Sequence, residues 1–274
     1  MKNAPNATFA IILFGATLPW HAHAAELAPL DDFFVSIGIY QSTNDLDVRV
    51  DSTLGIPGTS LNFQRDLGFD RRHREPTWEI GGTIAGRHKI DAFGYHYDDT
   101  VSRSLSRDFT FGDETFTVGA DLSGTLKVDV KGVSYTWFFH RSDESAFGVG
   151  LGGVRYELGA LLAATLSNGD DSVSVAERFS EAAWAPLLRA EYVHVFSPHW
   201  RAGIEGSYVK KSNGSVTGDA IDAGVKVEYF PWQHFGLALR YNLNDVDLEY
   251  RRTRISGQAR LESNGPQLMA TARF

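Results

Sequence analysis

Charged side chains recur at alternate positions within otherwise apolar stretches. Arg189 and Glu191 lie in LLRAEYV, Glu205 in GIEGSYV, Asp222, Lys226 and Glu228 in AIDAGVKVEY, Arg240 in LALRYNL, Glu79 in TWEIGG and Arg273 in the terminal ATARF. Gathered in a space that excludes water, such groups have two uses. They pair with one another and tie their elements together, since a buried charge left alone is costly, or they line a narrow path and select what passes. A second set, His96, Asp98 and Asp99 in GYHYDDT with Asp245 and Asp247 in LNDVDLEY, has the residue types of acid–base catalysis, which requires them within hydrogen-bond reach of one another. A third is basic: Arg71, Arg72, His73 and Arg74 in one segment, and Arg251, Arg252, Arg254 and Arg260 in another. Guanidinium groups grip phosphate with paired hydrogen bonds. There is no cysteine and no metal-ligand spacing, so no metal or other cofactor is expected. The isolated His194 and His199 read as turn or interface residues.

The elements that carry these side chains have period two. Between 220 and 230, Ile221, Ala223, Val225, Val227 and Tyr229 alternate with Asp222, Gly224, Lys226 and Glu228; after the short Pro231 to His234 link, Phe235, Leu237, Leu239, Tyr241 and Leu243 alternate with Gly236, Ala238, Arg240 and Asn242. This is a hairpin with one apolar and one polar face. The same alternation sets Trp78, Ile80 and Ile84 against Glu79 and Thr83, and Trp200, Ala202, Ile204 and Tyr208 against Arg201, Gly203, Glu205 and Ser207. Twice the apolar set changes face at a glycine. It moves from Leu126, Val128 and Val130 to Val133, Tyr135 and Trp137 at Gly132, and from Phe147, Val149 and Leu151 to Val154, Tyr156 and Leu158 at Gly152 and Gly153. Bulges or inward aromatic residues would produce such flips.

The chain has 274 residues, a net charge of -8 and 43% hydrophobic residues, enough for one sizeable domain and with no feature pointing to nucleic acid. Its start, with Lys2, an apolar run from Phe9 to Leu18 and the small-x-small triplet Ala22-His23-Ala24, reads as a secretory signal peptide over 1–24, leaving 25–274 as one domain. Strands are expected at 33–50, 77–86, 89–101, 122–140, 146–165, 183–196, 200–210, 220–230, 235–250 and 265–274, about ten, with eight or twelve as alternatives. Very short links such as Gly86 to His88 and Ser197 to Trp200 alternate with long excursions at 51–76, 102–121, 167–181, 211–219 and 251–263. Tight turns at one end and long loops at the other are the plan of a closed antiparallel transmembrane β-barrel with external loops. A soluble sandwich with its apolar faces inward satisfies the alternation equally well. Aromatic residues at the short turns, among them Phe138, Phe139, Phe196, Trp200, Tyr229, Phe230, Trp232 and Phe235, favour a membrane-interface girdle and hence the barrel.

The chain ends in GPQLMATARF, with Phe274 last and Leu268, Ala270 and Ala272 on one face. With the signal peptide, this terminus resembles the integral outer-membrane β-barrel proteins of Gram-negative bacteria, broadly the small OmpA- and OmpW-like barrels, over the whole mature chain. The resemblance implies that the barrel-assembly machinery reads Phe274; Ala272, where a second aromatic residue would strengthen that signal, is a departure from the pattern. It also implies partners in outer-membrane lipid and lipopolysaccharide, whose phosphates suit Arg71, Arg72, Arg74, Arg251, Arg252 and Arg254. No ligand is specified. In a barrel of this size side chains fill the interior. Glu79, Arg189, Glu191, Glu205, Asp222, Lys226, Glu228, Arg240 and Arg273 are therefore expected to form a lumen charge network that plugs it. The expected role is structural and interaction-based, through the external loops. The alternatives are a narrow pore for small solutes, or an enzyme like the omptin proteases or lipid A deacylases; the Asp-x-His element of omptins is absent from both acidic clusters.

Overall fold

The computed structural model describes residues 27–52, 59–104, 108–111, 114–116, 119, 121–168, 171–251 and 255–274, so the expected signal peptide lies outside the described residues. Thirteen strands follow in order: β1 (Phe33–Ser52), β2 (Ser60–Asn62), β3 (Arg72–Ile84), β4 (His88–Ser104), β5 (Phe109–Phe111), β6 (Glu114–Phe116), β7 (Asp121–Arg141), β8 (Ser145–Asn168), β9 (Asp171–Ser197), β10 (Trp200–Lys211), β11 (Val216–Tyr229), β12 (Phe235–Arg251) and β13 (Ile255–Arg273). The ten long ones each pair antiparallel with the next, and β13 returns to β1 with Ile37 opposite Ala270, so the sheet closes into a barrel. Closure leaves no edge among these ten strands, which a sheet in hydrocarbon requires. Short β2 pairs on the extracellular half of β1, and β5 pairs with β6 as a separate ribbon.

Burial settles which face is which. Leu151 and Leu188 are 63% and 61% exposed, and Val225, Leu237 and Leu239 of the hairpin are also exposed, while Glu191, Arg201 and Glu228 are buried. Apolar residues therefore point out and charged ones in, the reverse of a soluble sandwich, and lipid is the solvent of the apolar face. The belt is bounded below by Phe33, Phe139, Phe147, Phe196, Trp200, Trp232 and Phe235, and above by Trp78, Trp184, Tyr208 and Tyr241, all exposed. Trp200 and Tyr208 bracket most of β10. At ~3.4 Å per residue and a ~40° tilt, their separation is roughly 20 Å of membrane depth, close to the apolar band of such barrels.

The belt also explains the phase flips. The β7–β8 register runs without interruption past Gly132, Gly152 and Gly153, its one irregularity falling between Phe138 and His140. The expected bulges at these glycines are absent. Instead Val133, Tyr135 and Trp137 face lipid, whereas Leu126 and Val130 are buried in the barrel above the belt. What changes at Gly132 is the medium outside the wall, from lipid to water, and the backbone alternation is unbroken. Gly132 has a separate reason: a Cβ there would lie 2.3 Å from the Phe93 ring, which packs across it.

Three expected loops are largely wall. β8 and β9 continue to Asn168 and from Asp171, β11 starts at Val216 and β13 at Ile255, so 167–181, 211–219 and 251–263 are mainly barrel rising above the membrane. Their sequences are rich in polar residues, as suits wall that stands in water, and this disguised them as loops. The segment after β1 is a genuine excursion. It carries β2 and one π-helical turn, Phe63–Leu67, capped by Asn62, whose side chain accepts from the Arg65 amide, and ended by Gly68 at φ 82°.

Candidate functional site

The lumen is built in levels, described here from the end with short turns upward. At the lowest, residues 27–31 fold into the barrel mouth. Leu27 is buried against Val195 and Phe230, and Leu30 against Phe138 and Ala146. Arg201, projecting inward from β10, holds this segment: it donates to the carbonyls of Ala28 at 3.1 Å and Pro29 at 3.2 Å, to Asp31 at 2.7 Å and to Glu228 at 2.7 Å. Arg273 reaches the other oxygen of Asp31 at 3.3 Å, and its guanidinium lies 4.5 Å from the centre of the Phe230 ring.

The next level is a connected set of ion pairs. Lys89 on β4 meets Glu191 on β9 at 2.5 Å. Arg189, 8% exposed, lies 3.0 Å from Asp91, 2.5 Å from Glu205 and 3.7 Å from Glu191. Asp91 also accepts from Ser134 at 2.9 Å. Arg240 on β12 meets Glu205 at 2.5 Å and Asp222 at 3.2 Å, and Lys226 reaches Glu228 at 3.5 Å. The pairs thus link β4, β9, β10, β11 and β12 across the interior. Each buried cation has carboxylate neighbours, the condition under which burial of charge is tolerated.

Glu79, Arg189, Glu191, Glu205, Asp222, Lys226, Glu228, Arg240 and Arg273 all point into the barrel, Arg273 joining the mouth and Glu79 lining the cavity above the network. Sequence reading missed Lys89, Asp91, Ser134, Arg201 and Asp31. Arg201 was legible, since it sits on the polar face of β10 in phase with Glu205. Asp31 precedes the first strand, and no periodicity marks it.

Above the network the interior opens into a chamber of about 120 Å³, edged by Tyr40, Tyr95, Tyr156 and Gln267. Higher again, a chamber of about 70 Å³ is lined mainly by aliphatic and tyrosine side chains, with Glu75 on its wall. The excursion after β1 closes the barrel over it: Leu61, Phe63, Leu67 and Phe69 are buried against Leu46, Tyr97, Leu122 and Leu126.

The acid–base set is not assembled. His96 and Asp98 face outward, beside Asp129 at 3.5 Å and Lys127 at 3.1 Å, while Asp99 turns inward to His73 at 3.4 Å. Asp245 and Asp247 lie on β12, four strands away around the barrel, where Arg260 meets Asp245 at 3.2 Å. Asp245 first, then Asp247 and Glu262, raise the pKa of the exposed Arg260 guanidinium above its ordinary value. Of the basic set, Arg71 pairs with Asp45 at 3.2 Å and Arg251 with Glu249 at 3.1 Å, and Arg72 and Arg74 are exposed on the outer wall above Trp78. Arg252 and Arg254 lie outside the described residues. Phe274 stacks on His234 at 5.5 Å and packs against Phe33 at 6.3 Å, beside the β1–β13 seam.

A closed antiparallel wall, an apolar belt facing outward and buried charges within are the features of an integral outer-membrane β-barrel. No protein-family model matches the chain, and no curated protein matches it. Among solved structures it is similar to the outer-membrane protease OmpT from Escherichia coli, at 10% identity and a TM-score of 0.50 over 92% of this chain and 100% of that one. It also aligns with the outer-membrane protein OprG from Pseudomonas aeruginosa (10% identity, TM-score 0.37, 90% and 97% covered) and with the Pseudomonas putida toluene transporter TodX (9%, 0.31, 89% and 90%). The OmpT likeness is one of fold.

Proposed function

We propose that this outer-membrane barrel works with its lumen closed and acts at the cell surface through its extracellular wall and loops. The observation that carries this reading is the triple filling of the interior: the 27–31 segment in the mouth, the ion pairs around Arg189 and Arg240, and the apolar cap of Phe63 and Leu67. A continuous water path would have to break all three. Arg72 and Arg74, exposed just above the lipid belt, fit the phosphates of lipopolysaccharide, and Arg71 adds a third guanidinium beside them. Phe274 at the barrel seam is the residue on which we rest recognition by the assembly machinery. Reconstitution into planar bilayers tests the central part. The closed reading expects no discrete conductance steps from folded protein; regular steps altered by Arg240→Glu would establish a pore instead.

A further inference from the structure

Glu75 is buried, 4% exposed, and differs from the ion-paired carboxylates Asp91, Glu191, Glu205 and Glu228 below it. Among the described residues, no lysine or arginine nitrogen lies within 4 Å of it. Ser42 at 2.5 Å and Asn44 at 3.5 Å both donate to its Oε1. The nearest imidazole on its own strand, His73, is engaged by Asp99 at 3.4 Å and by the Asp70 carbonyl at 2.8 Å. Glu75 lies on the wall of the upper chamber together with the rings of Tyr95, Tyr97 and Tyr156, and Tyr40 is its cross-strand partner. The remaining wall is mostly aliphatic, with Leu126, Leu158 and Val246 among its residues, and carries the neutral polar side chains Asn44, Gln64 and Ser263 as well as Glu157, which Arg155 engages at 2.8 Å.

A solitary buried carboxylate facing tyrosine rings and aliphatic walls is complementary to one kind of charge. A calcium or magnesium ion takes six or more oxygen ligands, carboxylates among them, and among the described residues no group of three or more acidic or histidine side chains is placed to hold one. An ammonium group on a short hydrocarbon is attracted by the carboxylate and by the ring faces, and its alkyl part is at home against leucine and valine. We infer that the upper chamber is a binding site for a small alkylammonium cation entering from the extracellular side, with Glu75 meeting its charge, tyrosine rings around it and the Phe63–Leu67 turn closing over it. The site lies above the ion-pair network, so the inference stands whether or not solutes pass below.

The test is calorimetric titration of the folded protein in maltoside micelles, which bring no ammonium head groups, with n-propylammonium and with n-propanol as the neutral probe of similar size. Propylammonium should bind at least tenfold more tightly than propanol. Glu75→Gln, which keeps the shape and the acceptor for Ser42, should abolish that preference, and Tyr156→Leu should reduce it severalfold while leaving propanol unchanged. Equal affinity for the two probes in the unaltered protein overturns the proposal and needs no variant. So does an undiminished preference in Glu75→Gln that still shows folded, heat-modifiable mobility.

Discussion

Arg189→Met removes the cation at the centre of the network and leaves a side chain of similar length. In the intact barrel Arg189 lies 3.0 Å from Asp91 and 2.5 Å from Glu205, with 8% of its side chain exposed. At 3 Å a unit pair is worth about 5.5 kcal/mol at an effective dielectric of ~20, and about 1.4 kcal/mol in bulk water. The choice of medium therefore decides the outcome. In a dry interior the substitution strands Asp91, left with the Ser134 hydroxyl, and takes one of the two guanidiniums from Glu205, which keeps Arg240; loss of one partner from a buried pair costs about 3–5 kcal/mol. In a water-filled lumen the loss is at most about 1 kcal/mol, as for exposed pairs. Urea unfolding in lipid vesicles, followed by tryptophan fluorescence and by gel mobility, measures the difference. We expect destabilisation of about 3–5 kcal/mol. Adding Asp91→Asn removes the stranded charge and should restore part of that loss, a coupling of at least ~1 kcal/mol. Destabilisation below about 1 kcal/mol, with no coupling, would refute the idea of a dry, interlocked interior.

Three other outcomes follow from the same geometry. Leu239→Arg, on the lipid face, should destabilise the barrel by about 2–4 kcal/mol if it lies near the bilayer midplane, whereas Arg72→Ala, above the belt, should change stability by less than ~0.5 kcal/mol; vesicle unfolding compares them. Arg201→Ala removes the donor to Ala28, Pro29 and Asp31. Amide exchange at Ala28, Leu30 and Asp31 should then accelerate by at least an order of magnitude, while exchange in β10 and β11 stays slow. Phe63→Ala takes a fully buried ring out of the cap. It should loosen the turn after β1, seen as faster proteolysis there, without destabilising the barrel by the ~3–5 kcal/mol that the same change costs in a single cooperative core.

The hairpin of β11 and β12 was readable almost residue by residue, because lipid outside and charge inside impose a strict period of two from Ile221 to Leu243. The same logic misled above the belt. Where the outer medium becomes water, the wall takes polar residues outward and Leu126, Val130 and Val154 inward, and a strand that inverts its pattern midway looks like a strand joined to a loop. The network residues on β9 to β12 were visible from their phase. Lys89 and Asp91 share the inner face of β4, inside the expected strand 89–101, but on that face they are followed by Phe93, Tyr95 and Tyr97, so the alternation did not mark it as a charged one. The mouth segment, Leu27 to Asp31, was invisible for a different reason: it is not a strand, and Arg201, Arg273 and the burial of Leu27 and Leu30 hold it without leaving a periodic trace. Glu75 was hidden too, since its environment is assembled from β1, β4, β7, β8 and the turn that caps them.

Everything rests on the apolar face of the strands touching lipid. Nitroxide labels placed singly along β12 from Leu237 to Leu243, in protein reconstituted into vesicles, test this by their accessibility to oxygen dissolved in the bilayer. Labels at Leu237, Leu239, Tyr241 and Leu243 should be accessible and those at the intervening positions protected, an alternation with period two. Uniform protection, or the alternation in opposite phase, would contradict the account.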